Sequence, residues 1–147
     1  MVAYSFDKRF VGPIATATKR QTIRGDRKRH ARPGEVVQLY TAMRTRYCRP
    51  IGTARCVNVG RITLDFTVPR VSYDLGSGKM IIFAPRLDAF ARSDGFENWA
   101  EMRAFWAARY PGLSVFEGWI IQWAEFSVAS VVENRQNESE MRKNFCG

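Results

Sequence analysis

Histidine and paired cysteine are the first things this sequence lacks. It has one histidine, His30, and three cysteines, Cys48, Cys56 and Cys146, none in a Cys-x-x-Cys pair. A zinc site built on two histidines is thereby excluded, as is a His-Glu-x-x-His metalloprotease helix. Any triad or Cys-His pair would have to use His30 itself. Its setting, Arg27-Lys28-Arg29-His30-Ala31-Arg32, reads as an exposed cationic surface. No metal or other cofactor is expected. An odd cysteine count suits a reducing compartment better than a disulfide framework. No apolar run approaches the ~18 residues of a membrane span, and the opening Met-Val-Ala-Tyr-Ser-Phe-Asp has no charged block followed by an apolar one. The expectation is a cytoplasmic protein with no membrane partner.

What the chain does contain is enough apolar material for one core. At 147 residues, 46% of them hydrophobic and including ten Phe and four Trp, it has the size and composition of a single domain. Without an internal repeat or linker, that domain is expected over residues 1–132, with a polar tail over 133–147. The Asn137-Glu138-Ser139 sequon in the tail carries no meaning without a secretory signal.

The formal charge of +9 is concentrated in one quarter of the chain. Between Lys19 and Arg55 stand eleven Lys or Arg against Asp26 and Glu35 only, and the flanking stretches nearly cancel. Cations gathered on one face suit phosphate binding, because each neutralised phosphate releases condensed counterions. The plainer alternative is a solvated basic loop.

Punctuation along the chain predicts short strands with few helices. Val2 to Phe6, Thr22 to Arg24, Val36 to Tyr40, Tyr47 to Asn58, Arg61 to Val68 and Val115 to Phe126 read as extended. Pro13 near a helix start predicts a short helical turn over Ala15 to Thr18. Gly76-Ser77-Gly78-Lys79 resembles a phosphate loop only superficially, since Tyr73 holds the first glycine position and Met80 follows the lysine. A turn is expected there. Phe96, Trp99, Met102, Phe105 and Trp106 recur at helical spacing, with Asp94 and Glu97 placed as a capping box and Pro111-Gly112 as the stop. The fold class is α+β: a small barrel of five or six strands flanked by two or three short helices.

Arg9-Phe10, Pro13-Ile14, Lys19-Arg20-Gln21-Thr22-Ile23-Arg24, Pro33-Gly34-Glu35, Asp94-Gly95-Phe96 and Phe116-Glu117-Gly118-Trp119 occur in an order that resembles the ASCH domains. These are compact β-barrels related to the PUA fold. The resemblance spans roughly residues 4 to 126 and is nearest to the stand-alone ASCH proteins of bacteria and their phages. It implies a polar cleft, and by analogy with the members that deacylate N4-acetylcytidine it implies a catalytic set of Lys19, Thr22 and Asp94. The chemistry is coherent, because a threonine hydroxyl needs a base and a lysine of depressed pKa can serve. Two departures stand out. Asp94 takes the place of that family's Glu, and Ala17 stands where the family tends to have glycine, so a positive φ there would carry strain.

The same family also suggests an RNA partner, RNA rather than DNA, held by a module or cut by a metal-free ribonuclease. Arg20, Arg24, Arg27, Lys28, Arg29 and Arg32 would then be phosphate contacts. Tyr40 and Tyr47 would offer stacking faces beside Arg44 and Arg46. For cleavage, Lys19 with Asp94 or His30 is the available base and acid pairing. Against both readings stands a structural one, in which Thr22 and Arg24 merely bond a helix end and hold the cleft together. Oligomeric state is left open.

Overall fold

A computed structural model describes residues 1–129. The expected tail over 133–147, its sequon and Cys146 lie outside the described residues. The elements run β1 (Val2–Phe6), a 3-10 turn (Lys8–Phe10), α1 (Val11–Ala15), β2 (Gln21–Arg24), β3 (Val36–Thr41) and β4 (Arg49–Asp65). They continue as β5 (Arg70–Asp74), β6 (Lys79–Ile82), α2 (Leu87–Ser93), α3 (Trp99–Arg109) and β7 (Val115–Val128). Among the described residues the fold is α+β: seven strands in one mixed sheet with three short helices.

β4 is the spine. Along one edge it pairs antiparallel with β3 and then with β5; along the other it pairs with β7 over most of its length. β1 joins β3 in parallel, β6 joins β5, and β2 joins the far edge of β7. The expected barrel does not close, because β1 and β2 do not pair. Where the sequence suggested two strands over 47–58 and 61–68, one strand runs through, kinked by register shifts at Thr53/Arg55 and Cys56/Asn58. It stops at Asp65, whose Oδ1 accepts from the Thr67 and Val68 amides at 2.9 and 3.1 Å and so turns the chain.

The core lies between the curved sheet and α2 and α3. Leu39, Ile62, Leu64, Ile120 and Ile121 are buried from the sheet, and Phe90, Met102 and Trp106 from the helices. Ile120 and Ile121 point to opposite faces of β7 yet both are buried, so this strand is covered on both sides.

Asp94-Gly95-Phe96 is the principal correction at the level of local structure. It does not open the long helix; it closes α2. The Gly95 amide donates to Arg92 O at 3.0 Å and the Phe96 amide to Ala91 O at 3.0 Å, with Gly95 at φ 97°. Those are the two bonds of a Schellman motif, with buried Phe96 supplying its apolar contact. α3 starts later, capped by Asn98, whose side chain accepts from the Glu101 amide at 2.9 Å. Among the described residues no helix is long and apolar enough to cross a membrane.

Candidate functional site

The site begins where α1 ends. The Ala17 amide returns to Ile14 O at 3.1 Å and the Lys19 amide to Pro13 O at 2.9 Å, with Ala17 in the left-handed region at φ 61°. This turn puts Lys19 just before β2, so the alternation rule that would send Lys19 and Thr22 to opposite faces does not apply across it. Arg20 then fixes the chain through its backbone, donating to Ser93 O at 2.9 Å and accepting from the Trp123 amide at 3.0 Å. Asp94 arrives from the opposite side as the last residue before the Gly95 turn. Lys19, Thr22 and Asp94 therefore line one cleft of about 130 Å³.

Lys19 and Asp94 are 3% and 4% exposed, which makes their charges costly. The Lys19 Nζ donates to the Asp94 backbone carbonyl at 2.5 Å and lies 3.7 Å from its Oδ1. It also sits 4.6 Å from the centre of the Phe10 ring and 5.5 Å from that of Phe6. Burial pulls the Lys19 ammonium down to about 8; Asp94 opposes the shift and Arg24 assists it. The Asp94 carboxyl is pushed up by burial, against the pull of Lys19, Gln21 and Arg24. Burial outweighs mutual attraction on both sides, so each group is nearer neutrality than in water.

Thr22 is held as an acceptor: Arg24 Nε donates to its Oγ1 at 2.8 Å. A guanidinium bond at that oxygen favours the alkoxide, while the hydroxyl proton remains available for donation. Ser5, Phe6, Asp7, Ile23 and Arg109 also line the cleft, beside an aromatic wall not singled out in the sequence as lining. Phe10, Phe96, Phe105 and Trp106 form it, and Tyr110 stands at the mouth, 47% exposed. Beside Tyr110 an Arg109–Asp7 ion pair spans 3.5 Å. The signal was weak. Phe10 and Phe96 lie inside recognised motifs, but helical spacing alone marks Phe105 and Trp106 as core.

The chain matches no family model, no curated protein and no solved structure.

The expected phosphate contacts divide into two groups. Arg20, Arg27, Lys28, Arg32, Arg44 and Arg46 are exposed, and among the described residues no carboxylate pairs with them. Arg29 is engaged by Glu35, and Arg24 is turned inward, donating to Ser5 O at 2.7 Å. Burial lowers the Arg24 guanidinium to about 10, which suits a structural cation better than a surface contact. Tyr40 is a correction: at 3% exposure it offers no stacking face, and its hydroxyl donates to Gln38 at 2.9 Å. Tyr47 is 61% exposed, but the Arg46 guanidinium already lies 4.7 Å from its ring centre.

His30 lies outside the cleft. Its Nε2 contacts Gly25 O at 2.9 Å, and because a carbonyl only accepts, Nε2 carries the proton. The Tyr4 hydroxyl accepts from the Ala31 amide at 3.1 Å and gives its own proton to His30 Nδ1 at 3.0 Å. Both ring nitrogens are thus occupied, and the pairing of Lys19 with His30 for RNA cleavage is not assembled. Cys56 is buried and free, whereas Cys48 is not a free thiol, a departure from the expectation of unpaired cysteines.

Proposed function

We propose that this protein is an RNA-directed module of the ASCH type, PUA-like in fold, whose cleft holds a single nucleobase. The observation that carries the reading is the lining of that cleft. It combines cationic donors, Lys19, Arg24 and Arg109, with acceptors, Asp94, Asp7 and the Thr22 hydroxyl, beside aromatic rings, and a planar polar base needs that mixture. The cleft also continues into the basic segment. Arg24 and Arg27 stack over the same Tyr4 ring, at 5.4 and 5.1 Å, so the cleft wall merges with the loop that carries Lys28 and Arg32. The test is binding of single-stranded RNA at several salt concentrations. Replacing Arg27, Lys28 and Arg32 with Glu should reduce the logarithmic salt slope by about 2, at ~0.7 per lost phosphate contact. Binding absent at low salt, or a slope unchanged in the variant, overturns the proposal.

A second reading, hydrolysis of an N4-acyl group on cytosine, is favoured by one observation: Lys19, with its pKa at about 8, shares the cleft with Thr22. Neutral Lys19 would take the Thr22 proton as Oγ1 adds to the acyl carbonyl. The resulting ammonium would return that proton to the departing amine as the C–N bond breaks. Water, deprotonated by Lys19, would then add to the acyl carbon, and Lys19 would hand that proton to Thr22 Oγ1 as the ester C–O bond breaks and the acid leaves. Turnover should rise with pH toward about 8, since roughly a tenth of Lys19 is neutral at pH 7. Full turnover in Thr22→Ala would eliminate this chemistry while leaving the binding proposal intact.

A further inference from the structure

Behind Asp94 lies a row of three amides. Gln122 on β7 is in register with Gln21 on β2 to one side and with Asn58 on β4 to the other. The three side chains form one line across three strands. Asn58 Nδ2 donates to Gln122 Oε1 at 3.0 Å, Gln122 Nε2 to Gln21 Oε1 at 3.3 Å, and Gln21 Nε2 to Asp94 Oδ1 at 3.5 Å. Every amide faces the same way, with its donor toward Asp94.

We propose that Asn58, Gln122 and Gln21 are positioning residues, a directional amide relay that holds Asp94 as a carboxylate and thereby sets the charge of Lys19. Two features support a built arrangement. The direction is fixed from the Asp94 end: an ionised carboxylate accepts only, so Gln21 must present its NH₂, which leaves its carbonyl for Gln122 and that of Gln122 for Asn58. The row also depends on an irregularity in β4. The register passes from Cys56↔Trp123 to Asn58↔Gln122, so Val57 is skipped and left 42% exposed. Without that bulge an apolar Val57 would stand opposite Gln122, and the row would have no far end. Aligned donors polarise one another, so a change three bonds away reaches the carboxylate. Gln21 lowers the Asp94 pKa in this arrangement, and Asp94 in turn raises that of Lys19. The other charged groups acting on the pair are Arg24 and Arg9, with Asp7, Arg109 and Tyr110 around the same cleft.

A catalytic consequence of the relay rests on the hydrolytic reading, but its electrostatic effect does not. The measurement is an NMR titration of the Lys19 side chain in the full chain, with folding checked by amide spectra. In Gln122→Met, Gln21 loses its donor and is free to turn, Asp94 becomes harder to ionise, and the Lys19 midpoint should fall from about 8 by about half a pH unit to one. Simple loosening would admit water and move the midpoint the other way, toward 10.5. In an Asp94→Asn background the same substitution should produce no further fall. Asn58→Ala acts on the half-buried end of the row and should give a smaller fall, which keeps the test available if Gln122→Met does not fold. A midpoint unchanged or raised in both variants overturns the relay. The titration is read without substrate, so a protein with no turnover still answers it.

Discussion

Gly95 joins the fold to the site, and Gly95→Ala tests both. Gly95 sits at φ 97°, where an L side chain is strained by about 1 to 3 kcal/mol. A methyl group there would lie 2.8 Å from Lys19 Cδ and 2.9 Å from Phe10 Cδ1. The Phe10 ring is locked edge-on against Phe96 and Phe105, so it yields little; the lysine chain yields, but its Nζ is tied to Asp94. Adding about 1 kcal/mol for that displacement gives a loss of ~2 to 4 kcal/mol. At about 3 °C per kcal/mol, Tm should drop by ~6 to 12 °C. Thermal and urea unfolding supply the number. A cycle with Lys19→Ala should recover at least about 0.5 kcal/mol of it, because two of the three closest contacts, Lys19 Cδ and Cγ, are then gone. The sign matters most. If Asp94 were a helix N-cap, as the capping-box pattern suggests, Gly95 would occupy the first helical position and alanine would be neutral or stabilising. A loss below about 1 kcal/mol would refute the Schellman assignment and the packing of Lys19 beneath it.

Ala17→Gly should have the opposite effect: relief of strain at φ 61° exceeds the added freedom of the unfolded chain, for a net gain of about 0.5 kcal/mol in urea unfolding, where an ordinary site would lose ~1 kcal/mol. His30 should make the fold acid-sensitive. Burial lowers its folded pKa below 6.5, so the unfolded state binds more protons as pH falls; the stabilisation present above about pH 6.5 is lost below it. Asp94, shifted upward, acts with the opposite sign, so the readout is the difference between wild type and His30→Gln across pH 7 to 5. Parallel curves for the two proteins would show that His30 does not titrate on unfolding.

Much of the sheet was legible because alternation and turn residues carry it. The bounds of β1 were read directly, and the hairpin over Gly76 to Lys79 followed from its glycines. The length of β4 was not legible, since Gly60, between the two expected strands, looks like a break until β7 pairs across it at Ile120. α2 went unread because only Leu87, Phe90 and Ala91 mark its buried face, too few to set a period in seven residues. At the site, motif order brought Lys19, Thr22 and Asp94 to notice, but the role of Asp94 in the fold was misread. A carboxylate next to glycine looks the same before a helix as after one. The amide row was invisible for a different reason: Gln21, Asn58 and Gln122 are far apart in sequence, and only strand register, shifted by a bulge, aligns them.

Arg24 shows why the open sheet and the cleft are one feature. Among the described residues β2 pairs only with β7 and β1 only with β3, so the seam between them has no backbone ladder. Side chains span it instead: Arg24 Nη2 donates to Ser5 O at 2.7 Å and Arg27 Nη1 to Ala3 O at 3.4 Å. Exposed strand edges invite pairing with other chains, and cations laid along the edge of β1 oppose that. Had β1 and β2 paired, their ladder would have filled the seam. Left apart, they leave space that Lys19, Thr22 and Asp94 line, and Arg24 both bridges the gap and fixes the Thr22 hydroxyl. A phosphate drawing Arg24 outward would therefore release Ser5 and Thr22 together. In the proposed RNA complex, contacts to the polymer are better made by the exposed Lys28 and Arg32, which can meet phosphates without releasing the seam.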